Sequence, residues 1–458
     1  MPPEGALPSS FRDPAGFVFR HDGVLHRAIL LHGEPHYEAL MLSGLYRELA
    51  EAGLIVPHTE VTFPDGGRED LYKIIRPEEV PFVSYPFEWS FSQLQDAALA
   101  TLEIEERALR HGLTLVDASA YNIQFLRGRP VLIDTLSLRR NVEGEPWTAY
   151  RQYCQHFLAP LTLMSMKDIR LGQLLRIHLD GIPLDLAASL LPAGSKRRFG
   201  LLLHLHLHAR SQKRYEGRSI RPARGRVGRQ ALLGLVDSLR SATRKLRWRA
   251  GGTEWADYYQ DTNYSAAGFE DKRKAVGEFI AAVRPRTVWD LGANDGTFSR
   301  IAAAAGAFTV SFDVDPACVE RNYLLARAEG DQALLPLLLN LANPSPNSGW
   351  ENAERPGLFE RGPADAVLAL ALVHHLAIGN NVPLGMIAHC FARAGRHLLV
   401  EFVPKSDSQV ARLLVTREDV FDKYTREEFE RAFGEHFSIA RRLALAGSER
   451  TLYIMERR

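Results

Sequence analysis

Cysteine is scarce in this chain: three in 458 residues, Cys154, Cys318 and Cys390, none in a C-x-x-C spacing. That excludes a disulfide framework and shows no zinc or thiol-redox motif, so no metal is expected and a reducing cytoplasm is the expected compartment. Long apolar runs are missing as well. The nearest, FGLLLHLHLHA at 199–209, falls short of the ~18 apolar residues of a transmembrane span and is interrupted by histidines. The opening MPPEGALPSSFRDPAG has neither a basic stretch nor an apolar core, so it does not read as a secretory signal. Charge of one sign is absent on average: 56 Lys and Arg against 55 Asp and Glu leave a formal net charge of +1. Averaged over the chain, nothing points to a polyanionic partner.

What is present is the balance of a globular protein, 46% apolar and 24% charged. Domains run about 100–200 residues, so two or three are expected. Three zones follow. Residues 1–209 read as an α+β domain, 210–252 as a basic linker and helix, and 253–458 as a regular α/β domain. Between 210 and 249 there are thirteen Lys and Arg against Glu216 and Asp237. RSIRPARGRVGR reads as a linker, while Leu232, Leu235, Val236 and Leu239 carry a helical period. Such a run can contact nucleic-acid phosphates or anionic lipid. With only Tyr215 and Trp248 as interleaved aromatics it reads first as a solvated linker face, and nucleic acid is not the favoured partner.

After 253, apolar runs alternate with helix-like segments. TVWDL (287–291), AFTVSFD (307–313), LLPLLL (334–339), DAVLALAL (365–372) and HLLVEFV (397–403) are strand candidates. Near-continuous apolar strands separated by helices imply a parallel, doubly wound, Rossmann-like sheet. FSIARRLAL and ERTLYIMER, joined by a short Gly-Ser turn, read instead as an antiparallel hairpin at one edge.

The sharpest signal is TVWDLGANDGTFSRIA. A strand ends at Asp290 and Leu291; Gly292, Asn294 and Gly296 follow; a helix begins. Glycine lets backbone turn tightly and approach a ligand, and a helix N-terminus offers free N–H groups beside it. Asp313 ends the next strand twenty-one residues beyond Gly292, the spacing at which an acid reaches ribose hydroxyls in a nucleotide-binding βαβ unit. The same loop suits NAD, or no ligand. D-L-G-A-N-D-G, however, resembles motif I of the class I S-adenosylmethionine-dependent methyltransferases, with Ala293 and Asn294 in the variable middle. NPSPNSGW and ALVHHLAIGNN extend the likeness to a group of bacterial methyltransferases. The resemblance implies S-adenosyl-L-methionine as cofactor, Asp290 near its methionine part, Asp313 on its ribose and Asn340 at the adenine edge.

Methyl transfer needs a positioned nucleophile, and an oxygen nucleophile needs a base. His374 and His375 stand where the resemblance places substrate-facing residues, and histidine titrates near neutrality. Packing or capping of the strand end is the alternative. Glu401 and Asp407 lie near the same rim. Asn343-Pro344-Ser345-Pro346 is similar to the (N/D)PP(Y/F) clamp of amino-methyltransferases but follows the third strand, so it reads as a turn. Trp255, Tyr258 and Tyr259 are either a lid or core aromatics.

In the N-terminal zone, Asp117 is followed by Asn122 and then by Asp134 at the end of an apolar strand. This pattern resembles the catalytic loop and metal-binding segment of the protein-kinase and aminoglycoside-phosphotransferase fold, and EVPFVSYPFEW its hinge. The resemblance implies Asp117 as a base, with Asn122 and Asp134 as magnesium ligands. Yet no lysine precedes Lys73, and GFVFRHDGV is not a phosphate loop. The expectation is therefore a methyltransferase acting on an O or N of an unknown acceptor, beside an inactive kinase-like domain that binds substrate or scaffolds. A non-catalytic cofactor-binding scaffold and a nucleic-acid methyltransferase are the alternatives.

Overall fold

Asp22 and Gly23 both take positive φ, 49° and 78°, the backbone of a tight hairpin turn. In the computed structural model, which describes residues 6–63, 68–210, 227–253, 265–415 and 418–458, this turn joins β1 (Gly16–His21) to β2 (Val24–Leu30). With β3 (His58–Val61) and β4 (Leu71–Pro77) they form an antiparallel sheet in the order β1-β2-β4-β3. Helix α1 (Glu34–Leu42) buries Tyr37, Ala39 and Leu40. Helix α2 (Phe91–Arg110) starts at a capping box in which the Ser90 hydroxyl accepts from the Gln93 N–H. Two small antiparallel pairs follow: β5 (Leu113–Leu115) with β8 (Leu138–Arg140), and β6 (Ile123–Leu126) with β7 (Arg129–Leu132).

Two compact units result. One comprises Met1–Trp248 with Ser348–Arg355, the other Arg249–Asn347 with Pro356–Arg458. The helix inside the basic stretch, α3 (Arg229–Arg244), therefore belongs to the first unit rather than to a separate linker. Its apolar stripe explains this: Leu232, Val236 and Leu239 are buried, and the Gln95 side chain on α2 donates to the carbonyls of Thr243 and Leu246. The histidine-punctuated run at 199–209 is helical too, with His204 bonded to Tyr150 and Ser238 and His206 to Ser195. Among the described residues, no helix is long and apolar enough to cross a membrane.

The second unit opens with α4 (Ala266–Val283). The strands β9 (Thr287–Leu291), β10 (Phe308–Asp313), β11 (Leu334–Leu338), β12 (Ala364–Ala369) and β13 (Gly395–Phe402) run parallel. The hairpin β14 (Phe437–Ala444) and β15 (Thr451–Arg457) completes a seven-stranded sheet ordered β11-β10-β9-β12-β13-β15-β14. β15, not β14, pairs with β13, so the last strand is inserted before the edge and runs antiparallel to both neighbours. This is a doubly wound, Rossmann-like α/β sheet with a terminal antiparallel hairpin. Val276, Phe279 and Ile280 of α4 join Val288, Leu368, Leu399 and Leu452 in its core. The strand order reverses between β9 and β12, and the crevice at the carboxyl ends of these strands is where open α/β sheets hold ligands. β12 ends at Ala369, short of the expected Leu372, because Ala371 turns into left-handed backbone at φ 51°.

Candidate functional site

Three positive φ angles shape the loop after β9: Gly292 at 77°, Asn294 at 51° and Gly296 at 81°. The N–H groups of Gly292 and Ala293 both donate to the Phe312 carbonyl. The loop is further tied to β10 by Asp313, whose carboxylate accepts from the Asn294 N–H at 2.7 Å and from the Asp315 N–H at 2.8 Å. Burial pushes the Asp313 carboxyl up to about 6, against those stabilising backbone bonds. Helix α5 (Ser299–Ala304) follows the loop, and helix α6 (Pro316–Glu329) follows β10.

Gly296 serves a different purpose from the one expected of it. A Cβ there would collide with the Asn322 side chain on α6, which donates to Ser311 on β10. Its bareness is a packing requirement between loop and helix. Gly292 lies against the 371–375 turn instead, where a Cβ would stand 3.2 Å from Leu372 Cδ1.

Asp290 is buried, and its carboxyl accepts from the Ser299 hydroxyl at 2.6 Å. Burial pushes it up to about 7. It fastens the first turn of α5 to β9. Asn340 is exposed, and its side-chain oxygen accepts from the Ala342 N–H, so it begins a turn that continues into the coil of 344–347.

His374 and His375 pack with ring centroids 4.1 Å apart at the start of a π-helical turn, His375–Gly379. His374 is 1% exposed, and its Nδ1 has no hydrogen-bond partner among the described residues. His375 is half-buried. Burial lowers both: His375 falls to about 4 and His374 well below its ordinary value, with Arg450 contributing in each case. The expectation that these rings titrate near neutrality is thus overturned by desolvation; both are neutral imidazoles at pH 7.

Glu401 and Asp407 are likewise not open at the rim. Glu401 is wholly buried; its carboxylate meets Lys272 Nζ at 2.8 Å and accepts from the Ala371 N–H at 2.9 Å. Asp407 binds Arg450 through both oxygens, at 2.7 and 3.0 Å, while Arg450 Nη1 stands 3.6 Å from Glu401. Two cations and two anions, with side chains no more than 6% exposed, neutralise one another.

In the first unit, the Ile133 N–H donates to the Asn122 carbonyl at 2.9 Å, which brings the ends of the β6–β7 hairpin together beside Asp134. Asp117 Oδ1 accepts from the Ser119 N–H and the Gln152 side chain. Asn122 Nδ2 is buried with no partner among the described residues. Asp134 is engaged by Arg27, whose buried guanidinium reaches it at 2.7 Å and Asp13 at 2.6 Å. Lys73 pairs with Glu60 and Glu38. Among the described residues, no group of three or more His, Cys, Asp or Glu is placed to hold a metal ion.

No family model matches the chain. It is 34% identical over 464 residues to the nodulation protein NoeA of Rhizobium meliloti (strain 1021), covering 100% of this chain and 97% of that one. The chain belongs to the NoeA family. Solved structures similar to part of it include the magnesium protoporphyrin IX methyltransferase of Synechocystis PCC 6803 with bound S-adenosylhomocysteine, at 20% identity, a TM-score of 0.33, and 44% of this chain and 93% of that one. A methyltransferase from Aquifex aeolicus is 13% identical, with a TM-score of 0.31, over 43% of this chain and 96% of that one.

Within this NoeA-family chain, Asp290, Gly292, Asn294, Gly296 and Asp313 gather at one loop, whereas Asn340 sits on a separate exposed turn. Lys272 and Arg450 are the residues that sequence reasoning missed. A signal existed for the first: Lys272 falls on the helical spacing of Gly268, Ala275, Val276 and Phe279, so a cation lies on the apolar stripe of α4. Trp255, Tyr258 and Tyr259, and the basic stretch at 211–226, lie outside the described residues. Of the described basic residues, Arg240 is paired with Glu106 and Asp237.

Proposed function

We propose that the C-terminal unit binds S-adenosylmethionine and directs its methyl group to an oxygen or nitrogen of an acceptor. The observation that carries this reading is Asp313: a buried carboxylate at the end of β10, bonded to the loop that turns at Gly292 where the strand order reverses. The residues fit the group. The Asp313 carboxylate accepts backbone N–H groups of Asn294, Asp315 and Val314, and as an acceptor-only group at the end of β10 it is of the kind that takes ribose hydroxyls. Among the described residues the Asn340 side chain bonds through its oxygen alone, and its amide N–H₂ is the donor that would meet an adenine ring. Bound, S-adenosylmethionine supplies an electrophilic methyl on a sulfonium.

His375, the more accessible ring, faces the acceptor in this reading. A neutral imidazole accepts a hydrogen bond from the acceptor's O–H or N–H and orients its lone pair. His374 supports it from below. Because burial holds His375 down to about 4, it is a weak base, and orientation rather than full proton removal is its principal contribution. Asp290 keeps α5 in register with the loop. Three free cysteines suit a reducing compartment, and we place the protein in the cytoplasm on that basis.

Titration of S-adenosylmethionine into the purified chain, followed by assay of S-adenosylhomocysteine release with candidate acceptors, tests the reading. No binding by folded protein sinks it; binding without release across acceptor classes favours a cofactor-sensing scaffold. A pH dependence is also expected. Ribose hydroxyls donate to the charged form of Asp313, whose folded pKa is raised to about 6. Affinity for S-adenosylhomocysteine therefore rises as pH increases through that value and levels above it, with a proton released on binding below about pH 6. Isothermal titration in buffers of different ionisation enthalpy measures both.

For the N-terminal unit we propose a kinase-like module without phosphoryl-transfer chemistry, which binds substrate or scaffolds. The juxtaposition of Asn122 and Asp134 across the β6–β7 hairpin supports the likeness. Magnesium does not fit: the Arg27 guanidinium already holds Asp134 and Asp13, and Asp117 is engaged by Ser119 and Gln152. The expected result is that magnesium with ATP produces no thermal shift and no hydrolysis above background. ATP turnover lost in Asp134→Ala would overturn the inactive assignment.

A further inference from the structure

We propose that Glu401 is the positioning residue of the C-terminal site: by holding Ala371 in left-handed backbone, it sets Leu372 against Gly292 and fixes the turn that bears His374 and His375. The consequence for cofactor binding rests on the methyltransferase reading; the positioning itself does not.

Ala371 sits at φ 51°, a region that costs a residue with a Cβ free energy and persists only where the surroundings hold it. The hold is visible. Its N–H donates to Glu401 Oε2 at 2.9 Å, and the same oxygen meets Lys272 Nζ at 2.8 Å. The other carboxylate oxygen faces Arg450, which Asp407 grips through both of its own oxygens. Helix α4, strand β13 and the residue just before β15 thus converge on one peptide N–H. Lys272 also lies 4.8 Å over the ring of Phe298, at the far end of the Gly292 loop.

The next residue carries the effect to both sides. Leu372 Cδ1 stands only 3.2 Å from where a Cβ on Gly292 would lie, so the turn packs directly on the cofactor loop. The Leu372 carbonyl accepts the N–H groups of His375, at 3.0 Å, and Leu376, at 3.2 Å, and thereby starts the turn that bears the histidines. A buried ion pair by itself is weak evidence of stabilisation, since apolar side chains of similar volume often serve as well. An acceptor for a strained peptide is a role that apolar side chains cannot fill.

The test removes the acceptor without stranding a charge. In Lys272→Met/Glu401→Met the pair is deleted together, and Arg450 keeps Asp407. Two quantities are read on the full-length chain, with folding checked by circular dichroism: the imidazole nitrogen resonances of His374 and His375, and affinity for S-adenosylhomocysteine. The pair variant is expected to move both sets of resonances and to weaken binding about tenfold, the scale of one lost hydrogen bond at a site. Adding Ala371→Gly is expected to restore both, because glycine takes φ near 50° without help. Histidine resonances unchanged in the pair variant, or changed and not restored by Ala371→Gly, overturn the proposal. If the pair variant does not fold, Glu401→Gln serves: its amide oxygen still accepts, so the resonances stay in place, and a shift that Ala371→Gly fails to reverse overturns the proposal. Absence of S-adenosylhomocysteine binding by the wild-type chain counts against the methyltransferase reading, while the resonances still decide the role of Glu401.

Discussion

Asp313→Ala lowers affinity for S-adenosylmethionine by about a hundredfold with the fold retained. The magnitude follows from two hydroxyl donors facing one carboxylate: hydrogen bonds to a charged group contribute about 1.5–3 kcal/mol each, and ~2.7 kcal/mol is a hundredfold. The substitution also releases the Asn294 and Asp315 N–H groups, so the loop that turns at Gly292 loses its tie to β10. Asp313→Asn should fall between, since an amide keeps one acceptor oxygen but no charge. Isothermal titration beside circular dichroism measures this. An Asp313→Ala protein that binds within threefold of wild type would remove Asp313 from the site and with it the main support for the cofactor assignment.

The second large effect is on stability. Arg450→Met is expected to destabilise the C-terminal unit by about 3–5 kcal/mol, because breaking a buried ion pair leaves its partner charged and uncompensated. For a unit of this size that is a fall in Tm of roughly 10 °C. Arg450 is 1% exposed and is the cation that grips Asp407; Glu401 keeps Lys272. Arg450→Met/Asp407→Leu removes the stranded charge and should recover all but ~1 kcal/mol, the residue being the loss of the cap that Asp407 gives to the Gln409 N–H. Denaturant titration of the two variants separates these contributions. An Arg450→Met protein as stable as wild type would show that the cluster is solvated in solution and contributes little.

Much of the C-terminal half was legible because parallel strands covered on both faces must be apolar throughout. TVWDL, AFTVSFD and LLPLLL therefore match β9, β10 and β11 to within a residue. The glycine loop was legible for a related reason: positive φ leaves few alternatives to glycine or asparagine, and 292, 294 and 296 all adopt it. The purpose of Gly296 was not, because Asn322 comes from a helix twenty-six positions further on. His374 and His375 could be found by position, but their protonation could not. It depends on burial and on Arg450, seventy-five residues beyond His375, neither of which is a property of the local sequence.

The sequence by itself determined the alternation of strands and helices, the terminal hairpin and the loop with its acid at the next strand's end. These are local patterns of period, turn chemistry and spacing, and they survive without knowledge of what packs on what. Tertiary structure alone decided the rest. It inserted β15 between β13 and β14, carried α3 into the first unit, buried Glu401 against Lys272 and paired Asp407 with Arg450. It turned Arg27 toward Asp134, the position for which the kinase resemblance implies a magnesium ligand. The physical reason is the same throughout: a charge shows in sequence as a charge, but whether it faces water, a ligand or another buried charge is set by residues far along the chain, through desolvation and pairing.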